Sequence, residues 1–231
     1  MKTITTIVAL FFTFLSSAQD VNADAIIQQV VSKFNTVKDY SVDASIRANI
    51  PLIKIMPVNA SIYFKQKDKF KVVSKGIAIL PKQGFTDVNA FLMKKGSYMA
   101  VSGGVKTIEG VKTNLISVIP TGETSEIILA KLWIDPARDI IIRSQVTTRS
   151  SGTVLVDYTY GPEATYGLPS QLVFTIDVKK FKMPKSVAAD LNKTDNQKKK
   201  TADKDQKGTI TIKLTNYKVN KGINDAVFKE K

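Results

Sequence analysis

The sequence predicts an α+β fold in which one N-terminal helix packs against a wide, curled antiparallel β-sheet. Between residues 20 and 37 the apolar side chains recur at the spacing of one helical face. From Tyr40 onward the apolar period changes to two, which is typical of strands with one wet and one dry face. Roughly nine or ten such strands follow, and a sheet of that width must curl to bury its apolar face.

The N-terminus is expected to be a signal peptide, residues 1–18, that is removed on export. Lys2 supplies the positive charge, residues 4–15 form an apolar run, and the Ser-Ser-Ala at residues 16–18 is a small-residue cleavage site. The apolar run is only about 12 residues long, whereas a membrane-spanning helix needs roughly 20. No cysteine follows it, so no lipid anchor is expected. We predict a soluble, exported single domain over residues 19–231; an uncleaved membrane anchor is the alternative.

The composition excludes several kinds of chemistry. The 231 residues include no histidine and no cysteine, and the formal net charge is +14. The chain therefore has no Ser-His-Asp triad, no Cys-His pair and no ordinary zinc site. Residues 203–208 have only part of a calcium-loop pattern, because Lys207 occupies a ligand position and no glutamate closes the loop. We expect no enzyme activity, no metal and no cofactor.

The elements can be predicted in order. The helix is expected over residues 20–37, with Asn22 or Asp24 as its N-cap. Residues 77–91 are expected to form a loop with a short helical turn, and residues 102–104 (Ser-Gly-Gly) to form a hairpin turn. The strands are predicted at residues 41–50, 58–65, 70–74, 98–101, 105–108, 111–119, 127–134, 140–148, 153–160, 171–178 and 209–219.

A central hairpin is predicted around residues 135–138 (Asp-Pro-Ala-Arg). Pro136 sets the φ angle of the second turn position, and the Asp135 carboxylate can accept a hydrogen bond from the backbone two residues on. Trp133, the only tryptophan, precedes the turn, and residues 140–142 (Ile-Ile-Ile) follow it.

A basic segment at about residues 179–207 interrupts the last strand pair. It contains ten lysines and four aspartates, and its second half has too little apolar surface to order itself. We expect a mobile loop in which Lys198, Lys199 and Lys200 can approach an anionic membrane surface or an acidic partner. A solvated linker is an equal alternative. Nucleic acid is not expected, because no aromatic residue alternates with these lysines to stack bases.

The predicted helix is too small for the predicted sheet. A helix of about 18 residues is only ~27 Å long, so it fills part of the concave side of so many strands. Either loops such as residues 77–91 complete the core, or an apolar cavity remains that is suited to an apolar ligand.

Three stretches resemble the LolA/LolB-like superfamily of periplasmic lipoprotein carriers and related lipid-binding proteins. Residues 60–70 (ASIYFKQKDKF) match an aromatic strand, a basic turn and a phenylalanine. Residues 132–143 (LWIDPARDIIIR) match a hairpin with a tryptophan before the turn and an apolar strand after it. Residues 217–228 (YKVNKGINDAVF) match a final strand that runs into an Asn-led loop closed by phenylalanine.

The resemblance implies an incompletely closed half-barrel with the helix on its concave face and an apolar cavity for acyl chains. It implies a non-catalytic periplasmic carrier or binder of lipids or lipoprotein acyl chains. The alternative is a regulatory module of the same fold that senses envelope stress or lipid and binds a protein partner, including a membrane-bound one. Gln66 and Lys67 stand where the best-known carriers have arginine and proline, so the resemblance implies lipid binding more than lipoprotein hand-over.

The inward phase of the strands supplies the candidate residues for contact with acyl chains. Each of them could instead be plain core packing. The candidates are Ile46, Ile62, Phe64, Phe70, Trp133, Ile142 and Phe174.

Overall fold

The computed structural model describes residues 22–51, 55–66, 69–74, 91–150, 152–177 and 207–229. The predicted signal peptide at residues 1–18 lies outside the described residues. So do nearly all of the predicted loop at 77–91 and of the basic segment at 179–207, including Lys198, Lys199 and Lys200.

The N-terminal helix α1 spans Ala23–Asn35. The Asn22 side chain caps it by accepting a hydrogen bond from the Ala25 N–H at 3.0 Å. Asn22 is one of the two residues that were predicted as the cap. At the other end the Thr36 N–H donates to the Lys33 carbonyl, which closes the last turn. The helix is shorter than predicted because Val37 already belongs to the core of the sheet.

Ten strands follow the helix in the described residues, together with two short 3-10 helices at Pro162–Tyr166 and Asp225–Phe228. The strands are β1 (Asp39–Asn49), β2 (Val58–Lys65), β3 (Lys69–Ser74), β4 (Tyr98–Ile108), β5 (Val111–Pro120), β6 (Ile127–Asp135), β7 (Ile140–Thr148), β8 (Gly152–Tyr160), β9 (Pro169–Asp177) and β10 (Lys207–Val219).

All ten strands form one antiparallel sheet in the order β3-β2-β1-β10-β9-β8-β7-β6-β5-β4. Neighbours in this order are also neighbours in the chain, except that β1 pairs with β10. The outer strands β3 and β4 do not pair with each other, so the sheet is not closed into a barrel. The predicted fold class is confirmed: an incompletely closed antiparallel sheet with an N-terminal helix.

The hairpin turn predicted at residues 102–104 is wrong. Residues 98–108 form the single strand β4, and the register against β5 shifts between Ser102 and Val105. The chain reverses instead at Glu109 and Gly110, whose φ angles are +49° and +81°. Consecutive positive φ angles are typical of the tight turns that join antiparallel strands. Gly103 and Gly104, which were predicted to form the turn, therefore form a β-bulge. Glycine is common in bulges as well as in turns.

Two apolar clusters divide the inner face of the sheet. In the first, the strands β1, β2, β8, β9 and β10 contribute most of the buried side chains. In the second, helix α1 packs on the inner face of β4, β5, β6 and β7 through Ala23, Ile27, Val30 and Val31. The helix thus covers one half of the sheet.

Polar contacts tie the end of the helix to the first and last strands. The Asn220 side chain accepts a hydrogen bond from the Lys38 N–H at 2.7 Å and donates one to the Thr36 carbonyl at 3.0 Å. The buried Asp39 carboxylate accepts hydrogen bonds from the N–H groups of Lys221 and Gly222 at 3.1 and 3.0 Å. These contacts fix the start of β1 beside the end of β10.

The central turn has the hydrogen bond that its sequence predicts. Asp135 Oδ1 accepts from the Ala137 N–H at 2.9 Å, and Oδ2 accepts from Arg138 Nε at 2.7 Å. Burial alone would raise the pKa of the Asp135 carboxyl, but the hydrogen bonds from Arg138 and Ala137 lower it below its usual value.

Replacing Asp135 with asparagine should lower the free energy of unfolding by about 1 kcal/mol at neutral pH, because one charge-assisted hydrogen bond is weakened. A depressed carboxyl pKa stabilises the fold above the pKa of the unfolded chain, and this stabilisation is lost as the pH falls through the folded pKa. The difference between wild type and Asp135→Asn should therefore shrink in acid. Denaturant titrations at several pH values measure it. A difference between the two proteins that does not change with pH would contradict this account of the Asp135 carboxylate.

Candidate functional site

The candidate site is the half of the sheet's inner face that helix α1 does not cover. Among the described residues of helix α1, only Phe34 packs against the first cluster, and it does so at the end of the helix. The rest of this half-sheet presents aliphatic and aromatic side chains to the interior. A concave apolar surface of this kind suits an apolar ligand.

Five of the seven predicted residues lie together in the first cluster. Ile46, Ile62 and Phe174 are buried, with at most 3% of each side chain exposed. Phe64 and Phe70 are half-buried, pack against the same cluster, and are directly opposite each other on β2 and β3. A side chain that faces free space keeps accessible surface, so Phe64 and Phe70 mark the accessible end and the other three form the packed floor.

The inward orientation predicted for Trp133 is wrong. Its neighbours Leu132 and Ile134 are fully buried in the second cluster, whereas Trp133 is half-buried and belongs to neither cluster. Its cross-strand partners are Leu115 and Arg143. Because successive side chains of a strand point to opposite faces, Trp133 projects from the outer face of the sheet.

Ile142 also lies outside both clusters, while the preceding Ile141 is buried in the second. The register between β6 and β7 shifts here, since Trp133 is opposite Arg143 but Ile134 is opposite Ile141. Ile142 is the extra residue of this bulge, and the predicted inward position is occupied by its neighbour.

A row of aromatic rings borders the candidate site, and the sequence analysis selected only Phe64 of its four members. Phe34 contacts Phe64 at a centroid distance of 5.7 Å, Phe64 stacks on Tyr40 at 5.2 Å, and Tyr40 meets the edge of Tyr217 at 5.8 Å. Such pairs contribute about 0.5–1.5 kcal/mol each beyond the area they bury. Tyr40 lies two residues before Val42 and therefore points to the same inward face. This alternation could have identified Tyr40 as a candidate from the sequence.

A polar pair lies at the boundary between the two clusters. Tyr158 packs against both, and its hydroxyl hydrogen-bonds Ser144 Oγ at 3.0 Å. Burial raises the pKa of the Tyr158 hydroxyl to about 12, and the Ser144 hydrogen bond acts in the opposite direction. Burial also raises the pKa of Tyr160, whose hydroxyl donates to the Ile141 carbonyl at 2.8 Å. These hydroxyls therefore stay protonated at neutral pH and act as fixed hydrogen-bonding groups.

A separate groove of about 510 Å³ lies on the other face of β1, β2 and β3. Its lining includes Asp43, Ser45, Asn59, Ser61 and Thr215, which alternate with the inward residues of their strands. Asn216 Nδ2 and Ser61 Oγ donate hydrogen bonds to Asp43 there at 3.0 and 3.4 Å. Most of the lining belongs to the outward phase, although Ala44, Ala60 and Ser74 of the inward phase also contribute, so the groove opens mainly on the face opposite to the candidate site.

No arrangement for metal-dependent chemistry is found in the described part of the chain, where no three acidic, histidine or cysteine side chains come together. The lowered carboxyl pKa values belong to structural contacts. Asp225 is held at a pKa of about 2 by hydrogen bonds from Lys65 and Lys69, which fasten the second 3-10 helix to β2 and β3. Within the described ranges, no helix has the length and apolar character needed to cross a bilayer.

The architecture is shared with solved structures. A DUF1329-family protein from Desulfovibrio piger has a TM-score of 0.58 over 90% of this chain and 97% of its own, at 11% identity. A LolA superfamily protein from Nitrosomonas europaea gives the same TM-score, coverage and identity. The fold is LolA-like. A domain assigned to outer-membrane lipoprotein sorting, from Vibrio parahaemolyticus, has a TM-score of 0.59 over 89% of this chain and 95% of its own, at 8% identity.

The LolA-like fold was expected from three short motifs, and the structural neighbours confirm that expectation. No family model and no curated protein matches the sequence. The TM-scores of 0.58–0.59 show a common fold, and at identities of 8–11% the likeness extends to the fold alone. The ligand must therefore be argued from the residues of this chain.

The raised pKa of the partly buried Tyr158 predicts an alkaline limit of stability. In the unfolded chain a tyrosine ionises near pH 10.0, whereas folded Tyr158 keeps its proton to about 12. A raised pKa gives stability that is complete below pH 10 and is lost as the pH rises toward 12. For Tyr158 alone the loss amounts to about 2–3 kcal/mol at 1.36 kcal/mol per pH unit.

The test is denaturant unfolding of wild type and Tyr158→Phe between neutral pH and about pH 11. The variant should be less stable at neutral pH, because it loses the Ser144 hydrogen bond, but its stability should fall less steeply above pH 10. Parallel curves for the two proteins, or phenolate absorbance that develops fully near pH 10 in the folded wild type, would show that the tyrosines are accessible.

Proposed function

We propose that the chain is an exported, non-catalytic carrier or binder of lipids or lipoprotein acyl chains in the periplasm. This proposal rests on the apolar half of the inner face that helix α1 does not cover. Among the described residues of the helix, only Phe34 packs there. The LolA-like fold of a lipoprotein-sorting domain supports the same proposal. An acyl chain needs no catalytic group, since each methylene removed from water contributes roughly 0.8 kcal/mol.

The accessible end of the site is at Phe64 and Phe70. Both are half-buried, while Ile62 between β1 and β3 is completely buried. An acyl chain therefore enters along the two phenylalanines and meets the aliphatic floor beyond them. Ile46, Ile62 and Phe174 determine how deep it reaches, because these packed side chains must move to lengthen the site.

Native mass spectrometry of the purified protein tests the proposal directly. A retained lipid is expected as a discrete added mass that organic extraction removes. The matching experiment in solution is displacement of a fluorescent fatty-acid probe by unlabelled fatty acid. A protein that carries no added mass and binds no probe would contradict the proposed function.

Phe70→Ala should weaken probe binding several-fold, because it removes a ring from the accessible end. Phe91→Ala is a matched control, since Phe91 is also half-buried but packs against the second cluster. Each substitution should cost about 1–3 kcal/mol of stability, less than the ~3–5 kcal/mol of a fully buried phenylalanine. Thermal unfolding and probe titration of both variants make the comparison.

Only the difference between the two variants is diagnostic. If both weaken the probe equally, binding follows overall stability and the site is misplaced. If neither does, the probe binds elsewhere on the chain.

A further inference from the structure

The two edge strands of the sheet, β3 and β4, differ in what lies beside them. Along β3, Lys69 binds Asp225 at 2.8 Å and Lys71 donates to the Lys229 carbonyl at 2.6 Å. The C-terminal 3-10 helix thereby lies against that edge. Along β4, every residue from 101 to 107 is exposed, and within the described residues the strand pairs only with β5. Proteins usually block a free edge, so an open one is a candidate interaction surface.

The open edge carries large apolar side chains on its outer face. Met99 is 58% exposed and Val101 is 51% exposed, although they stand on a strand. Met99 is directly opposite Ile119 of β5, which is 37% exposed. These three residues therefore form one continuous apolar surface, here called the β4 surface. Exposed apolar side chains in a group, rather than singly, indicate an interaction site.

The chain segment that carries the β4 surface is positively charged. Residues 91–108 contain three lysines and no acidic residue. Lys94 and Lys95 are exposed in the turn that leads into β4, and neither forms an ion pair with a described residue. The acidic residues nearest to this segment in the sequence are Asp87, which lies outside the described residues, and Glu109, which contacts Arg143.

These features select among possible partners. A second copy of the chain would bring Lys94 and Lys95 against like charges in a protein of net charge +14. An added peptide strand needs a regular edge, but the bulge between Ser102 and Val105 limits the regular part of β4 to residues 98–102. Neither restriction applies to a lipid surface, which accepts apolar side chains at any spacing and attracts lysines when it is anionic.

We infer that the β4 surface docks on an anionic lipid bilayer. Met99, Val101 and Ile119 enter the headgroup region, and Lys94 and Lys95 pair with lipid phosphates beside them. The inference builds on the proposed function, since a lipid carrier must reach a membrane to exchange its cargo. Docking is nevertheless a property of the outer face and does not require an occupied site.

Vesicle co-sedimentation tests the apolar contribution. Wild type should bind vesicles of phosphatidylcholine with phosphatidylglycerol more strongly than vesicles of phosphatidylcholine alone. The Met99→Ser/Val101→Ser variant should bind the anionic vesicles several-fold more weakly. Val73→Ser is the matched control, because Val73 is 50% exposed on the opposite edge strand, and it should bind as wild type does.

A charge variant makes the second arm of the test and leaves the strand intact. Lys94→Gln/Lys95→Gln should weaken binding several-fold at low salt and much less at high salt, because salt screens exposed charges. Lys213→Gln/Lys218→Gln removes the same charge from exposed positions of β10 and should have a smaller effect. Circular dichroism confirms that each variant is folded.

Several results would overturn the inference. These are wild-type binding without preference for anionic vesicles, normal binding by Met99→Ser/Val101→Ser, or equal losses in the variants and their controls. If the three basic residues at 198–200 account for all binding, Lys198→Gln/Lys199→Gln/Lys200→Gln abolishes it and Lys94→Gln/Lys95→Gln does not. Retained lipid is measured separately, so lost docking with retained lipid rejects this inference alone. Docking without any retained lipid rejects the proposed function alone.

Discussion

The pairing of β1 with β10 is the constraint on which the rest of the structure depends. It is the single step in the strand order of the described sheet that joins strands distant in sequence. Without it β1, β2 and β3 would be an isolated three-stranded ribbon, and the first cluster would lose the opposite side of its packing. The buried Asp39 carboxylate and the Asn220 side chain hold this pairing at the point where helix, first strand and last strand meet.

A short helix then decides where the sheet can bind a ligand. With 13 residues, α1 is about 20 Å long and covers the inner face of only β4 to β7. Its last ring, Phe34, reaches the aromatic row at Phe64 and Tyr40. The helix therefore both packs one half of the sheet and borders the other. One element therefore packs the second cluster and borders the first, where the candidate site lies.

Strand alternation and turn chemistry made most of the fold predictable. Where polar and apolar residues alternate strictly, as in β1, β2 and β9, the inward residues Ile46, Ile62 and Phe174 were identified correctly from sequence. The Asp135 hydrogen bond could be predicted because it is local. The errors at Trp133 and Ile142 arise in two apolar runs. Residues 132–134 are all apolar, so nothing in them marks Trp133 as the outward one, and nothing in the run at residues 140–142 reveals that a bulge changes the register at Ile142. Likewise, the Gly103-Gly104 pair fits either a turn or a bulge, and only the pairing of β4 with β5 decides between them.

The two unpaired edges connect the interior with the outer surface. Because one curved sheet ends at β3 on one side and at β4 on the other, its opening lies between these strands. The accessible end of the candidate site, at Phe64 and Phe70, is on the β3 side, whereas the apolar surface of Met99 and Val101 is on the β4 side. Under the docking that we infer, the bilayer would lie at the β4 edge and the two phenylalanines at the β3 edge, so an acyl chain would reach them from the side of the sheet's unpaired edges and not through its hydrogen-bonded strands. Among the described residues, the C-terminal 3-10 helix lies along β3, whereas β4 pairs on one side only, with β5, so the two edges of the sheet offer different surfaces.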